Sequence, residues 1–164
     1  MNGEPNNLNS NHLTSIKMVS AMYNKEIQTG SSQKILVVED NQDNRELLVK
    51  ILKFNGYLVI EAVDGEEAIE KTKTESPDLI LMDLFIPKID GYEVTRRLKT
   101  DRDLRHIPII ALTAHAMKGD MEKALAAGCD YYIPKPIDVR ELPKQIKHFL
   151  NTHGLSATTK DEGS

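Results

Sequence analysis

Tryptophan is absent, phenylalanine occurs only three times, and there is a single cysteine, Cys129. One cysteine excludes an intramolecular disulfide and a cysteine-rich zinc site, and it fits a reducing cytoplasm. No apolar run approaches the ~20 residues that a membrane-spanning helix needs. The N-terminus lacks a basic stretch followed by an apolar core, so no signal peptide is expected. Positive charge is not in excess either. The 21 Lys and Arg face 25 Asp and Glu, a formal net charge of −4, which disfavours a globally basic nucleic-acid binder. The histidines (His12, His106, His115, His148 and His153) are scattered, so no His/Cys cluster argues for zinc or iron. No glycine-rich Walker-type phosphate loop occurs, which excludes a P-loop NTPase.

What is present is ordinary for a globular chain: 40% hydrophobic and 28% charged residues in 164. Composition divides the chain into three. Residues 1–33 are polar and end in Gly30-Ser-Ser32, a tail and linker. Residues 34–151 are apolar and periodic, and residues 152–164 read as a second disordered tail. Within the leading tail, Leu13, Ile16, Val19, Tyr23 and Ile27 share one face of a possible short amphipathic helix over 12–27. That helix suits docking or dimerisation, but helices this short are barely stable alone in water.

The body alternates apolar runs with amphipathic stretches. The runs are 34–38, 58–62, 79–82, 109–112 and 131–134. The helical patterns cover 41–55, 65–75, 92–100, 117–127 and 138–150, with Gly56 and Gly128 as stop signals and Asp138 as an N-cap. Five strands alternating with five helices predict an α/β domain with a parallel sheet. In such sheets ligands bind beyond the carboxyl ends of the strands.

Polar groups stand at those ends: Glu39-Asp40, Asp83, Thr113 and Lys135. Carboxylates brought together repel unless a cation joins them, and a few hard oxygen ligands suit Mg²⁺. A carboxylate beside Mg²⁺, a hydroxyl and an ammonium is equipped to accept a phosphoryl group as an aspartyl phosphate. Taken singly, each residue has a plainer reading. Glu39-Asp40 would suit a solvated helix start, Thr113 an N-cap, and Tyr132 a packing position. Their combination favours a site.

Four motifs occur in order: Ile35-Leu-Val-Val-Glu-Asp-Asn41, Leu79-Ile-Leu-Met-Asp-Leu84 with Pro87 and Asp90-Gly91, Ala111-Leu-Thr-Ala114, and Tyr132-Ile-Pro-Lys-Pro136. With them the chain resembles a response-regulator receiver domain, the phosphoacceptor module of two-component signalling, over about 33–150. The resemblance implies a flavodoxin-like, doubly wound five-stranded sheet of order 2-1-3-4-5. It makes Asp83 the phosphorylated residue and Asp40, Glu39 and the Phe85 carbonyl the Mg²⁺ ligands, with Glu39 often acting through water. Lys135 would pair with phosphate, and its bond to Pro136 would be cis. Thr113 and Tyr132 would be the switch pair. Phe85 and His115 occupy positions that influence how long the acyl phosphate lasts. Ile86 departs from the family's usual Met.

The resemblance also implies a histidine kinase or histidine phosphotransfer protein as donor. Output would be a protein contact on the face made by the fourth helix, fifth strand and fifth helix. Residues 152–164 are too few for a DNA-binding output domain, so a stand-alone cytoplasmic regulator is expected, monomeric or weakly dimeric on phosphorylation, without direct DNA binding or membrane insertion. Three alternatives stand beside it. The domain could be a receiver excised from a hybrid kinase or multidomain regulator. An aspartyl-nucleophile phosphohydrolase would need an acid two residues after the nucleophile, where Phe85 stands. A flavin-binding protein would need a phosphate-cradling loop where Glu39-Asp40 has the wrong sign.

Overall fold

The computed structural model describes residues 32–114 and 117–157. The expected tail 1–33 with its helix at 12–27, His115, and residues 158–164 lie outside the described residues, apart from Ser32 and Gln33. Contacts divide the chain into two units, Met1–Ser32 and Gln33–Ser164, and the second carries all the secondary structure described here.

Strand and helix alternate throughout: β1 (Lys34–Val38), α1 (Gln42–Phe54), β2 (Leu58–Ala62), α2 (Gly65–Glu75), β3 (Leu79–Asp83), α3 (Gly91–Thr100), β4 (Ile109–Thr113), α4 (Lys118–Ala127), β5 (Tyr131–Pro134) and α5 (Leu142–Ala157). All pairings are parallel and the strand order is β2-β1-β3-β4-β5. This is the flavodoxin-like order that the resemblance implied. Among the described residues no helix is long and apolar enough to cross a membrane.

Side-chain alternation along the central strands explains the two layers of helices. Leu36, Val38, Ile80, Met82, Ile109 and Ala111 pack on one face against Ala68 of α2, Val94 and Leu98 of α3 and Ala124 of α4. Ile35, Val37, Leu79, Leu81, Ile110 and Leu112 pack on the other against Leu48 and Leu52 of α1 and Leu142, Ile146 and Leu150 of α5. The chain runs from β1 outward to β2, then returns to β3 on the other side. The order therefore reverses between β1 and β3, and a crevice opens beyond their carboxyl ends.

Helix starts follow local capping chemistry. The side chains of Asn41, Asp64 and Asp90 accept the amides of Asn44, Glu67 and Glu93 at 3.0, 2.9 and 2.9 Å. Gly128 closes α4 at φ +110°, which suits glycine. The expected helix 138–150 differs at both ends. Asp138 does accept the amides of Arg140 and Glu141, at 2.8 and 3.2 Å. Pro143, having no N–H, cannot bond the Val139 carbonyl, so residues 139–141 form a turn and α5 starts at Leu142. The helix then runs on to Ala157, past the expected boundary at 151, with the Thr152 hydroxyl bonded to the His148 and Phe149 carbonyls.

The start of α3 is pressed against the end of β3. A Cβ on Gly91 would lie 2.6 Å from the Asp83 carbonyl oxygen and 2.7 Å from Leu84 Cα. Backbone on both sides cannot yield cheaply, so Gly91→Ala is expected to destabilise the domain by about 1–3 kcal/mol. Urea denaturation should show a lower midpoint at unchanged slope.

Candidate phosphoacceptor site

Glu39 follows β1 directly, Asp83 ends β3 and Lys135 follows β5. Counting by twos from Val37, Leu81 and Ile133, all three continue the sheet face covered by α1 and α5. Thr113 continues the opposite face, the one on which Ala111 and Tyr132 pack. Parity thus separates a charge cluster from a hydroxyl at one rim of the sheet.

The Lys135 ammonium joins the cluster. It lies 2.7 Å from Glu39 Oε2 and 2.9 Å from Asp83 Oδ2. Pro134 has no N–H, and the Lys135 amide bonds the Thr113 carbonyl at 2.7 Å instead. The Lys135–Pro136 peptide is cis. Glu39 and Asp83 are buried, whereas Asp40 is exposed. The amides of Asn41 and Phe85 donate to Glu39 Oε1 and Asp83 Oδ1, at 3.2 and 3.0 Å.

Oxygens of Glu39, Asp40 and Asp83 come within 4.8 Å of one another. Three carboxylates against one ammonium leave negative charge uncompensated. Hard oxygen donors in excess over their counter-charge fit a divalent cation such as Mg²⁺, which is bound through few protein ligands and keeps waters. Two of the three are already held by backbone amides, which limits the ordering needed to receive it.

Burial, helped by the Asp83 charge, pushes the Glu39 carboxyl above its ordinary 4.5 despite the opposing pull of Lys135. For Lys135, burial acts to lower the value. Hydrogen bonds to Glu39 and Asp83, with their charges, outweigh it and hold the ammonium above its ordinary 10.5.

The other expected site residues are distributed as follows. Thr113 is buried at the end of β4. Tyr132 is half-buried against the α2–α4 side of the core and stacked on Tyr131, with ring centroids 5.7 Å apart. Phe85 is half-exposed and stands edge-on to Tyr92 at 6.3 Å. One supporting residue escapes a reading of the sequence. The Arg45 guanidinium, one turn into α1, donates to the main-chain carbonyls of Glu39 at 2.9 Å and Asp40 at 3.3 Å. It also bonds Glu61 Oε2 at 3.2 Å. An arginine on a polar helix face gives no signal of this until the fold brings the β1 end beneath it.

Glu39 yields a pH prediction. A raised carboxyl pKa means that the folded state disfavours the ionised form, so stability is lost as pH rises from the unfolded-state value toward neutrality. Glu39→Gln should therefore stabilise the metal-free protein at neutral pH. The gain should vanish below the ordinary carboxyl value of 4.5, where the wild-type group is itself protonated. Urea denaturation in chelator at neutral and acid pH checks this, and the same variant should bind Mg²⁺ more weakly.

Known proteins agree with this geometry. The family described as response regulator receiver domain matches residues 35–147. The polar-differentiation response regulator DivK of Brucella ovis is 44% identical over 119 residues, covering 73% of this chain and 97% of that protein. A receiver domain of a sensor histidine kinase from Pseudomonas aeruginosa, solved with a magnesium ion coordinated in its active-site cleft, is 38% identical. It matches at a TM-score of 0.69 over 74% of this chain and 99% of its own. A CheY-like receiver protein from Methanospirillum hungatei is 30% identical at a TM-score of 0.71, over 77% and 99% of the two chains. With its acidic pocket at the switch point of a 2-1-3-4-5 sheet, this chain belongs to the response-regulator receiver family and is a phosphoacceptor of two-component signalling rather than an enzyme in the ordinary sense.

Proposed function

We propose that the protein is a stand-alone response regulator phosphorylated on Asp83. The observation that carries this is the Lys135 ammonium shared between Glu39 and Asp83 beside the exposed Asp40. In the reaction an Asp83 carboxylate oxygen attacks phosphorus in line, and the bond from phosphorus to the donor's leaving atom breaks. No general base is needed, because the nucleophile is already anionic. Lys135 would leave Glu39 or Asp83 to pair with a phosphoryl oxygen. Mg²⁺, held by Asp40, Asp83, the Phe85 carbonyl and Glu39 directly or through water, would offset charge on the transferred group.

The donor is a histidine kinase or histidine phosphotransfer protein in the cytoplasm. Once the phosphoryl group is in place, the Thr113 hydroxyl moves toward it. Tyr132 shares the Thr113 face of the sheet and turns inward into the space vacated. That changes the α4-β5-α5 surface, and a protein partner reads it without direct DNA binding. The regulator is monomeric or forms a weak dimer linked to phosphorylation. The domain proper begins at 34 and includes the whole of α5, which ends at Ala157, with a polar segment before it. A receiver module of a hybrid kinase is the second reading, favoured by the 38% identity to a histidine-kinase receiver.

Incubation with acetyl phosphate and Mg²⁺ should add one phosphoryl group to the intact mass. Asp83→Asn should abolish the gain, and so should chelation of Mg²⁺. Quantitative phosphorylation of Asp83→Asn would overturn the assignment. The half-exposed Phe85 ring shields the acyl phosphate from water, with His115 as the second position that sets its lifetime. Phe85→Asn should therefore speed loss of phosphate from the purified protein, followed by mass over time. Equally fast loss in both proteins would refute the shielding role.

A further inference from the structure

Residues 84–90, the loop that leaves β3 after Asp83, are tied to the start of α2. The Gly65 amide donates to the Pro87 carbonyl at 3.3 Å. Gly65 lies so close to Ile89 that a Cβ there would collide with the Ile89 carbonyl. Lys88 Nζ stands 2.7 Å from Asp64 Oδ2 and 3.4 Å from Glu66 Oε2. Lys88 also holds φ at +65°, a left-handed conformation that a lysine keeps only when its surroundings impose it.

Asp64 is well prepared for this contact. It is buried, and its Oδ1 accepts the Glu67 amide at 2.9 Å, which leaves Oδ2 for Lys88. The Glu67 carboxylate turns back to the Val63 amide at 2.7 Å, so the cap is fixed from both sides. The Glu67 amide, then Lys88, hold the Asp64 carboxyl below its ordinary range.

Neither Asp64 nor Lys88 belongs to the acidic cluster. The loop between them and the site does touch it. The Phe85 amide donates to Asp83 Oδ1, and the Gly91 amide closes the loop on the Leu84 carbonyl at 3.0 Å. A loop free to roll about Pro87 would carry the Phe85 backbone away from Asp83.

We propose that Asp64 and Lys88 are positioning residues. Their ion pair, acting through the left-handed turn at Lys88, holds the loop so that the Phe85 backbone faces the phosphoacceptor. The inference rests on the reading of Asp83 given above.

Two substitutions separate this role from simple helix capping. Lys88→Met removes the charge and leaves the Asp64 cap intact. Asp64→Asn keeps a good capping side chain and removes the partner charge. Hydrogen exchange in the metal-free protein should show the Phe85 amide opening about tenfold faster in each variant, with the Glu67 amide unchanged. Mg²⁺ affinity, measured by titration calorimetry, should fall on the order of tenfold, the low end for partners that orient metal ligands. The double variant should be no worse than either single one, as expected of two residues acting through one contact. Lys88→Arg should restore both readouts. Unchanged Phe85 exchange and Mg²⁺ affinity in Lys88→Met would overturn the proposal, as would effects that simply add in the double variant. If the wild-type protein takes up neither Mg²⁺ nor a phosphoryl group, the reading of Asp83 fails. Exchange at Phe85 still decides whether the pair holds the loop.

Discussion

One ammonium holds the functional end of this protein together. Lys135 Nζ bridges a carboxylate from the β1 end and a carboxylate from the β3 end, and it is itself delivered by β5. Without it, Glu39 and Asp83 would be two buried negative charges side by side, a costly arrangement in a poorly polarisable interior. With it, the pair can persist before any metal or phosphoryl group arrives. The same geometry makes the lysine available later. A phosphoryl oxygen on Asp83 would compete for an ammonium already aimed at that position, so little reorganisation separates the resting and modified states.

The sheet is what makes this economical. Three strands present their last residue, or the one after it, on the same face, and a fourth presents Thr113 on the other. The burial pattern that packs α1 and α5 against one face and α2–α4 against the other is the same two-residue alternation that sorts the site residues. Core and site are therefore specified by one register. Slipping β3 by one residue would turn Asp83 away from Lys135 as surely as it would move Leu81 from the α1/α5 face to the opposite helix layer. Arg45, fixing the backbone beneath Glu39 and Asp40 from α1, adds a second layer of support.

Much of this is readable in the amino-acid sequence because the chemistry is local. The three central strands are buried on both faces, so they appear as unbroken aliphatic runs. The polar residues that end those runs are the candidate site residues. Strand order is different. No apolar run states its neighbours, and only the four motifs together carry the order 2-1-3-4-5. The start of α5 is misread because periodicity extends through Val139 while Pro143 withholds the amide that a helix would use there. Arg45, Asp64 and Lys88 are silent in the sequence for a shared reason. Each acts on backbone or charge brought close only by the crossover connections, and each looks like an ordinary surface residue until then.

The outer edge of β2 shows how the sheet ends. The Ala62 carbonyl accepts the Glu39 amide and so faces β1. Alternation then turns the Glu61 carbonyl outward, where another strand would bond. The Lys71 ammonium of α2 occupies that carbonyl, and Arg45 engages the Glu61 side chain. A strand added from a second molecule would have to displace a charged group already bonded in place. On this side, copies meeting at high concentration gain little by extending the hydrogen-bonded ladder, and aggregation through edge pairing is opposed by a single lysine.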